Sequence, residues 1–290
     1  MALCDEVRAH AAAVMRDARW VRLDLERLDA LDPGPPPAPD PGTLVEGAPE
    51  DVARHVLTVD SVNFGSGWFP TLRKRDGRSG YMTIASALAD RFRAEGPWPT
   101  AALRALTPAE VAGVLGQEPD HELMALYARA LNHLGGWLGE RGALDAIAEA
   151  EGSAERLAEQ LAAGMPFFDD RGFFKRAQIT PSDLDLAGVA RFQDLDRLTI
   201  FADNLVPHVL RVDGALRYDP GLAARIDAGE RLEAGSREEL EIRAAAVHAG
   251  ERLAARLGVA PRTLDAALWN RGQAPRYKAV PRHRARSVFY

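Results

Sequence analysis

The sequence predicts a mainly α-helical fold with at most a small β-hairpin. Apolar residues recur at helical spacing over most of the 290 residues, whereas the strict alternation typical of half-buried strands is scarce. Helix-start signals also recur. The run from Thr107 to Glu110 combines an N-cap, a proline at the first helical position and an acid in the first turn. These observations favour one helix after another from about residue 100 onward.

The first element is predicted to be an amphipathic helix within residues 1–31. Apolar side chains between Val7 and Leu28 alternate at steps of three and four, with charged residues between them. The stripe ends at a run from Asp32 to Pro41 that contains six prolines and cannot continue a helix or a sheet. We therefore expect residues 32–49 to form an extended connector and the N-terminal helix to pack back onto residues 50–290.

The body of the chain carries further helical patterns and turn signals. Asp76-Gly77 predicts a turn, and a helix is expected to begin beyond it, with Thr83 or a neighbour as its cap. Ser236 and Glu239 have the spacing of a capping box. Helices are expected around residues 120–139, 142–150 and 153–163, from near Pro181, and over roughly 194–213 and 236–257.

Composition and charge exclude several classes of protein. Hydrophobic residues make up 47% and charged residues 27%, which rules out an intrinsically disordered chain. The net charge of −6 argues against a protein that grips long nucleic acids, because phosphate contacts need an excess of cations. The single cysteine, Cys4, cannot form an internal disulfide, and no apolar run is long enough for a membrane helix. We therefore expect a cytoplasmic location and no membrane partner.

Familiar catalytic motifs are missing. His121-Glu122 lacks the second histidine of a zinc protease helix, and Gly65-Ser66-Gly67 lacks the spacing of a nucleophile elbow. There is no Walker loop, no GxGxxG and no Cys/His metal pattern. The reactive candidates that are left are carboxylates, a few histidines and the three lysines.

Asp203 is the most informative of these candidates. It follows Leu198, Ile200 and Phe201 and comes shortly before Pro207, so a carboxylate lies among apolar neighbours. Two interpretations stay open from the residues alone. The side chain caps the helix that Pro207 begins, or it is a partly desolvated carboxylate directed at a reacting centre.

Other candidates have equally plausible structural roles. Glu241 lies at the start of the long 236–257 helix and fits either a site acid or a bond to Arg237. Four phenylalanines between residues 167 and 174 precede Lys175 and Arg176, and they fit either the core or a base-stacking surface. Asp265 and Trp269 share a helical face, and the basic segment 282–286 fits either a phosphate site or solvation.

These segments together resemble the queuosine salvage family, the queuosine 5'-phosphate N-glycosylases/hydrolases. The resemblance rests on Leu198 to Asp203 with Val206-Pro207, on Gly235-Ser236 and Glu241-Ile242-Arg243, and on the segments 63–68, 175–179, 265–269 and 283–290. It covers about residues 50–290. The chain departs from the usual family pattern at Gly65-Ser66-Gly67 and at Asn204, Leu205 and His208.

The resemblance implies a helical fold similar to the helix-hairpin-helix DNA glycosylases, with residues 50–290 as the catalytic domain. It implies hydrolysis of the N-glycosidic bond of queuosine 5'-phosphate, which releases free queuine for salvage into transfer RNA. No metal or organic cofactor is expected. The expected partners are the nucleotide substrate and the queuine product, without a stable nucleic-acid complex.

Within this resemblance, Asp203 is the expected catalytic carboxylate, because hydrolysis of a ribosyl C–N bond develops positive charge on the sugar. Substrate contacts are expected from aromatic faces for the base, from acids for its amine and diol, and from cations for the phosphate; these residues are Asn63, Phe64, Trp68, Lys175, Arg176, Phe201, Glu241, Asp265, Trp269 and His283. The alternatives are an N-glycosylase for another modified nucleoside or nucleic-acid base, and a non-catalytic queuosine- or nucleoside-binding protein.

Overall fold

Fifteen α-helices and one two-stranded sheet make up the computed structural model, which describes residues 1–290. The predicted mainly helical class is confirmed, and the likeness to helix-hairpin-helix glycosylases stays a prediction. The helices are α1 (Leu3–Arg16), α2 (Leu25–Asp29), α3 (Pro49–Ser61), α4 (Gly80–Glu95), α5 (Thr100–Ala105), α6 (Pro108–Leu115), α7 (Glu122–Leu138), α8 (Ala143–Ala148), α9 (Ala154–Gly164), α10 (Lys175–Leu186), α11 (Val206–Val212), α12 (Pro220–Asp227), α13 (Arg237–Leu257), α14 (Pro261–Arg271) and α15 (Pro275–Lys278).

The predicted N-terminal helix is wrong beyond Arg16. The apolar stripe continues to Leu28, but the strand β1 (Val21–Leu23) interrupts it before the short helix α2. Glu241 explains the break, since its carboxylate accepts hydrogen bonds from the backbone amides of Arg19, Trp20 and Val21 and so takes these groups out of a helical ladder.

The sheet is not a hairpin. Strand β1 pairs in antiparallel fashion with β2 (Leu216–Tyr218), and Val21 lies opposite Tyr218. The two strands are almost two hundred residues apart in the sequence, so no turn signal marks their pairing. The prediction of at most a small hairpin gives the right amount of strand and the wrong connection.

The chain divides into two compact units, each built from separate segments. Unit 1 comprises residues 1–38, 171–175 and 194–286, and unit 2 comprises residues 39–170, 176–193 and 287–290. Residues 1–38 share unit 1 with residues 194–286, and the catalytic domain over residues 50–290 stays a prediction.

Unit 1 is organised around α13. Most of the apolar face of this helix is buried, and α1, α11 and α14 pack against it. Helix α1 contributes buried Leu3, Val7, Ala11 and Val14, so the expectation that it packs back onto the body is confirmed. This packing places the middle of α13 behind the segment that leads to Asp203.

Unit 2 is organised around α7, against which α3, α5 and α6 pack. Gly135 lets α5 approach closely, because a Cβ atom there would lie 2.7 Å from the backbone nitrogen of Arg104. The predicted N-cap of α6 at Thr107 is confirmed, and it is part of a capping box in which Thr107 and Glu110 accept each other's backbone amides.

Two helix predictions need correction. Helix α10 begins at Lys175 and contains Pro181, which the sequence had placed at a helix start. The helix predicted over 194–213 is a short 3₁₀ turn at Leu195–Arg197, an extended stretch and then α11. In the extended stretch, Asp265 of α14 accepts a hydrogen bond from the amide of Phe201, and Arg243 of α13 donates one to the carbonyl of Ala202. In a helix these backbone groups would bond to each other's neighbours along the chain. None of the helices is both long enough and apolar enough to cross a membrane.

Candidate active site

Asp203 lies at the end of the extended stretch, directly before α11. Its Oδ1 atom accepts hydrogen bonds from the backbone amides of Leu205 at 2.7 Å and Val206 at 3.1 Å. Its Oδ2 atom accepts none from the chain, and the side chain is half-buried. One oxygen therefore holds the turn that leads into α11, while the other is available to a ligand or water. The predicted role of Asp203 as the helix cap is wrong, because the N-cap residue of α11 is Leu205 and no side chain caps this helix.

The backbone before Asp203 is held from two sides. Asp265 on α14 accepts a 2.8 Å hydrogen bond from the amide of Phe201 through Oδ1. Arg243 on α13 donates a 2.9 Å hydrogen bond from Nε to the carbonyl of Ala202. These bonds fix the path of the chain into Asp203. Asp265, predicted as a substrate-binding acid, thus has at least one oxygen engaged by the protein.

Arg282 is a cation on which the charge of Asp203 acts. Burial lowers the pKa of Arg282, and the Asp203 carboxylate opposes this effect. The Arg282 side chain is half-buried and donates no hydrogen bond within the chain. Asn204, next to Asp203, donates from Nδ2 to the carbonyl of His283 at 3.4 Å. Residues 282–283 therefore lie beside the Asp203 loop.

His283 does not supply the positive charge expected of it. The side chain is 1% exposed, and neither ring nitrogen has a hydrogen-bond partner. Burial, with smaller contributions from the His208 imidazole and the Arg282 guanidinium, lowers the pKa of His283 to about 3. The ring is therefore neutral near pH 7 and cannot act as a cation for a phosphate group.

Glu241 has its carboxylate occupied by unit 1 itself. Besides the three backbone amides of residues 19–21, it accepts a 3.0 Å hydrogen bond from Nε of Arg237 and is fully buried. This arrangement favours a structural role, in which Glu241 joins α13 to the turn before β1. A contact with the amine of a base would compete with these bonds.

Lys175 and Trp269 complete the predicted residues of unit 1. Lys175 is buried at the first position of α10. The preceding residue, Phe174, has a φ of 48°, in the left-handed region that a bulky residue rarely adopts. Such a conformation persists only where the surrounding structure imposes it. Trp269 is half-buried on α14, one turn after Asp265.

The predicted residues of unit 2 form part of its core. Phe64 is 1% exposed and makes edge contacts with the rings of Tyr127 and Phe167. Trp68 donates a 2.8 Å hydrogen bond from Nε1 to Glu122. Asn63 directly precedes Phe64 in the sequence, shortly after the end of α3, and its side chain is half-buried.

Arg176 is a buried cation whose donors are taken up by carbonyl groups. Its guanidinium donates to the carbonyls of Ser61 at 2.7 Å and Val288 at 2.6 Å, and also to that of Phe167. The rings of Phe64 and Phe168 lie within 4.7 Å and 4.6 Å of Cζ. Burial lowers the pKa of Arg176 to about 9, so it is still charged at pH 7. This environment favours a structural role over phosphate binding.

The structure adds two residues that the sequence reasoning did not single out, Arg243 and Arg282. Arg243 lies in a segment that carries the family resemblance, and Arg282 belongs to the basic segment 282–286, which the sequence leaves open as a phosphate site. The structure brings Phe201, Asp203 and Asp265 together and places His283 beside them. No three His, Cys, Asp or Glu side chains are arranged so that they could hold a metal ion.

Comparison with known proteins gives a consistent result. A family model described as queuosine salvage protein matches residues 44–290. The queuosine 5'-phosphate N-glycosylase/hydrolase of Sphaerobacter thermophilus is 37% identical over 265 aligned positions, which cover 83% of this chain and 82% of that protein. The mouse protein of the same name, from Mus musculus, is 27% identical over 327 aligned positions, which cover 98% of this chain and 90% of that protein.

The match spans the Asp203 loop, α13, α14 and the segment 282–290, which are the segments that carry the resemblance in the sequence. The family model covers far more than half of the chain, so the prediction of the family is confirmed. The chain belongs to the queuosine salvage protein family.

Proposed function

We propose that the protein is an N-glycosyl hydrolase that acts on queuosine 5'-phosphate and releases queuine, with Asp203 as its catalytic carboxylate. The names of the relatives support the substrate and the reaction. The observation that carries the role of Asp203 is the division of its carboxylate. Two backbone amides hold Oδ1, and Oδ2 is left without a protein partner.

The geometry suits this chemistry. As the C–N bond breaks, positive charge develops on the ribose, and the Oδ2 atom of a carboxylate that is already fixed can stabilise that charge without reorganisation. The same oxygen can orient the attacking water. The oxygen of the water then bonds to the sugar carbon, and the proton that the water loses goes to the nitrogen of the departing base. A fixed group of this kind contributes about 3–4 kcal/mol to the barrier reduction.

The substrate contacts within unit 1 are part of the proposal. Phe201 precedes the carboxylate by two residues and offers an aromatic face to the base, with Trp269 as a further aromatic group. Lys175 and Arg282 supply positive charge for the phosphate, in place of the neutral His283 and of Arg176, whose donors bind carbonyls. Asp265 remains a candidate for the amine of the base.

One observation favours a second function. Because Oδ1 of Asp203 accepts the amides of Leu205 and Val206, Asp203 also qualifies as a purely structural residue that holds the turn into α11. On that alternative, the protein binds a queuosine-related nucleoside without cleaving it. In both functions the Asp203 side chain holds the turn before α11. Only in the hydrolase does its negative charge also stabilise the reacting sugar.

A substitution at Asp203 can remove the charge of the side chain and keep its hydrogen bonds to the backbone. The side-chain oxygen of asparagine can accept the same two amides, so Asp203→Asn keeps the turn and removes the charge. Asp219 is a matched control, because its Oδ1 accepts the amides of Gly221 at 2.8 Å and Leu222 at 3.3 Å at the start of α12. Queuine release from queuosine 5'-phosphate and from queuosine is measured by mass spectrometry for the parent protein, Asp203→Asn and Asp219→Asn.

We expect the parent protein and Asp219→Asn to release queuine from the 5'-phosphate at equal rates. Asp203→Asn should bind the nucleotide and release queuine about 10²–10³-fold more slowly. Equal rates for all three proteins would contradict the role of Asp203. Tight binding without release by the parent protein would establish the binding-protein alternative instead.

A further inference from the structure

Arg243 is a charged side chain in the interior of unit 1. It is 3% exposed in the first half of α13, where a guanidinium group loses its hydration. Glu239, one turn earlier on α13, has a carboxylate oxygen 3.6 Å from Nη1 of Arg243. That distance is long for a hydrogen bond, so this ion pair alone does not account for the orientation of the guanidinium.

The hydrogen bond from Arg243 Nε to the Ala202 carbonyl, at 2.9 Å, is the feature that ties this side chain to the site. The carbonyl oxygen of Ala202 lies in the same peptide plane as the amide nitrogen and the Cα atom of Asp203. A donor that fixes this oxygen therefore fixes the plane from which the Asp203 side chain projects. Two amides hold the other end of that side chain at Oδ1.

The guanidinium is itself oriented by an aromatic ring. Cζ of Arg243 lies 4.0 Å from the centre of the Phe173 ring, close enough for a cation–π contact. The ring constrains the plane of the guanidinium, and that plane sets the direction of the Nε–H bond. On the far side of the loop, Asp265 holds the amide of Phe201.

We propose that Arg243 is a positioning residue for hydrolysis, which acts by holding the Ala202–Asp203 peptide so that Oδ2 of Asp203 faces the reacting sugar. The proposal rests on the proposed catalytic role of Asp203. Arg243 touches no substrate in this mechanism. Loss of its hydrogen bond therefore lowers kcat and leaves nucleotide affinity unchanged.

The conservative variant Arg243→Lys is the main test. Lysine keeps the charge but lacks the planar group that donates from Nε while it lies against a ring, so it cannot reproduce both contacts at once. We expect kcat for queuosine 5'-phosphate to fall at least tenfold in Arg243→Lys, with KM and the nucleotide Kd within about threefold of the parent values. Arg252→Lys is the matched control, because Arg252 lies on the same helix in an exposed pair with Asp29 and should leave kcat unchanged.

A double-mutant cycle separates positioning from a general loss of structure. If Arg243 acts through the Asp203 carboxylate, Arg243→Lys should slow single-turnover release by less than about threefold in the Asp203→Asn background. If Arg243→Lys slowed release by the same factor in the parent protein and in Asp203→Asn, the proposal would be overturned. An unchanged kcat in Arg243→Lys would also overturn it. If the parent protein itself releases no queuine, the proposed function fails first, which is a separate result.

A second variant covers the case in which Arg243→Lys does not fold. Phe173→Leu keeps an apolar side chain at the site and removes the ring that orients the guanidinium. We expect an intermediate loss of kcat, with KM again unchanged, in a protein whose unfolding transition is still cooperative. A folded Phe173→Leu protein with the kcat of the parent would count against orientation of Arg243 by the ring, and hence against the proposal.

Discussion

At the level of single residues, the two carboxylate oxygens of Asp203 differ in their hydrogen-bond partners. Oδ1 accepts the backbone amides of Leu205 and Val206, and Oδ2 has no protein partner. These hydrogen bonds fix the rotamer at little cost, because an aspartate in this position favours the local turn on its own. A catalytic carboxylate held in this way needs few other contacts to keep its direction.

The buried His283 predicts how stability depends on pH. Its pKa is about 3 in the folded protein and about 6.5 in an unfolded chain, so the unfolded state binds more protons between these values. Stability should therefore fall as the pH decreases below about 6.5, by up to about 1.4 kcal/mol per pH unit from this residue. Urea unfolding between pH 4 and pH 8 measures the slope. Burial of His55, whose pKa is about 4, adds a contribution of the same sign.

The variant His283→Gln tests this origin, because its side chain cannot take up the proton. Its unfolding free energy should depend less on pH below 6.5 than that of the parent. The exposed His248 provides the control, and His248→Gln should keep the parent slope. A parent-like slope in His283→Gln would show that the acid sensitivity arises elsewhere.

Several residue roles could be predicted from the sequence, and others could not. Local sequence identifies Asp203 as a carboxylate among apolar residues and offers a catalytic role for it. It cannot show that His283 is buried without partners, or that the donors of Arg176 bind carbonyls far away in the chain. Charge state and partner choice depend on burial, and burial is set by contacts between distant segments.

At the scale of elements, α13 is the support of the candidate site. Its first half carries Glu241, which fixes the turn before β1, and Arg243, which holds the Asp203 loop. Its second half contains Gly250, which lies against Ile200. One helix thus contacts the loop at two points about two turns apart, so a shift of α13 would move the catalytic segment.

Gly250 allows a direct test of this contact. A Cβ atom added there would lie 2.7 Å from Cγ2 of Ile200, which is three residues before Asp203. Alanine at this site gains about 1 kcal/mol of helix propensity but must displace the loop. We expect Gly250→Ala to lower kcat by about 10- to 100-fold. The control is Gly136→Ala in α7, where a Cβ would meet nothing within 4 Å, so activity should be kept with a gain in stability of about 0.5–1 kcal/mol. Full activity in Gly250→Ala would contradict the coupling.

Helix positions were predictable where local signals decide them. The caps at Thr107 and Ser236 lie where the sequence places them, and α13 matches the expected range within a residue or two. The failures occur where distant side chains replace helical hydrogen bonds, as at residues 19–21 and 198–205. In α10, the first turn is buried and anchored through Arg176, and this packing outweighs the loss of one backbone donor at Pro181.

At the scale of the whole molecule, the charge balance separates a free nucleotide from transfer RNA as substrate. The 42 acidic residues outnumber the 36 lysines and arginines. A small nucleotide needs only one or two local cations, whereas a folded RNA needs many contacts to phosphates. The candidate cations, Lys175 and Arg282, are enough for the former.

We therefore expect weak binding to transfer RNA. At 150 mM salt, labelled transfer RNA should show no saturable binding below about 100 µM in fluorescence anisotropy, because the chain lacks the excess of cations that gives non-specific complexes their Kd values of roughly 1–100 µM. An excess of transfer RNA should leave the rate of queuine release from queuosine 5'-phosphate unchanged. Micromolar binding together with competitive inhibition would point to a nucleic-acid substrate instead.

The discontinuous composition of unit 1 has a consequence for protein synthesis. Helix α1 and strand β1 emerge from the ribosome early, but their partners α13 and β2 follow only after residue 194. At about 5–20 residues per second, residues 1–38 wait roughly 10–50 s for the end of their unit to be made. During that interval the apolar side of α1 is uncovered, so the nascent chain should depend on chaperones more than its modest size suggests.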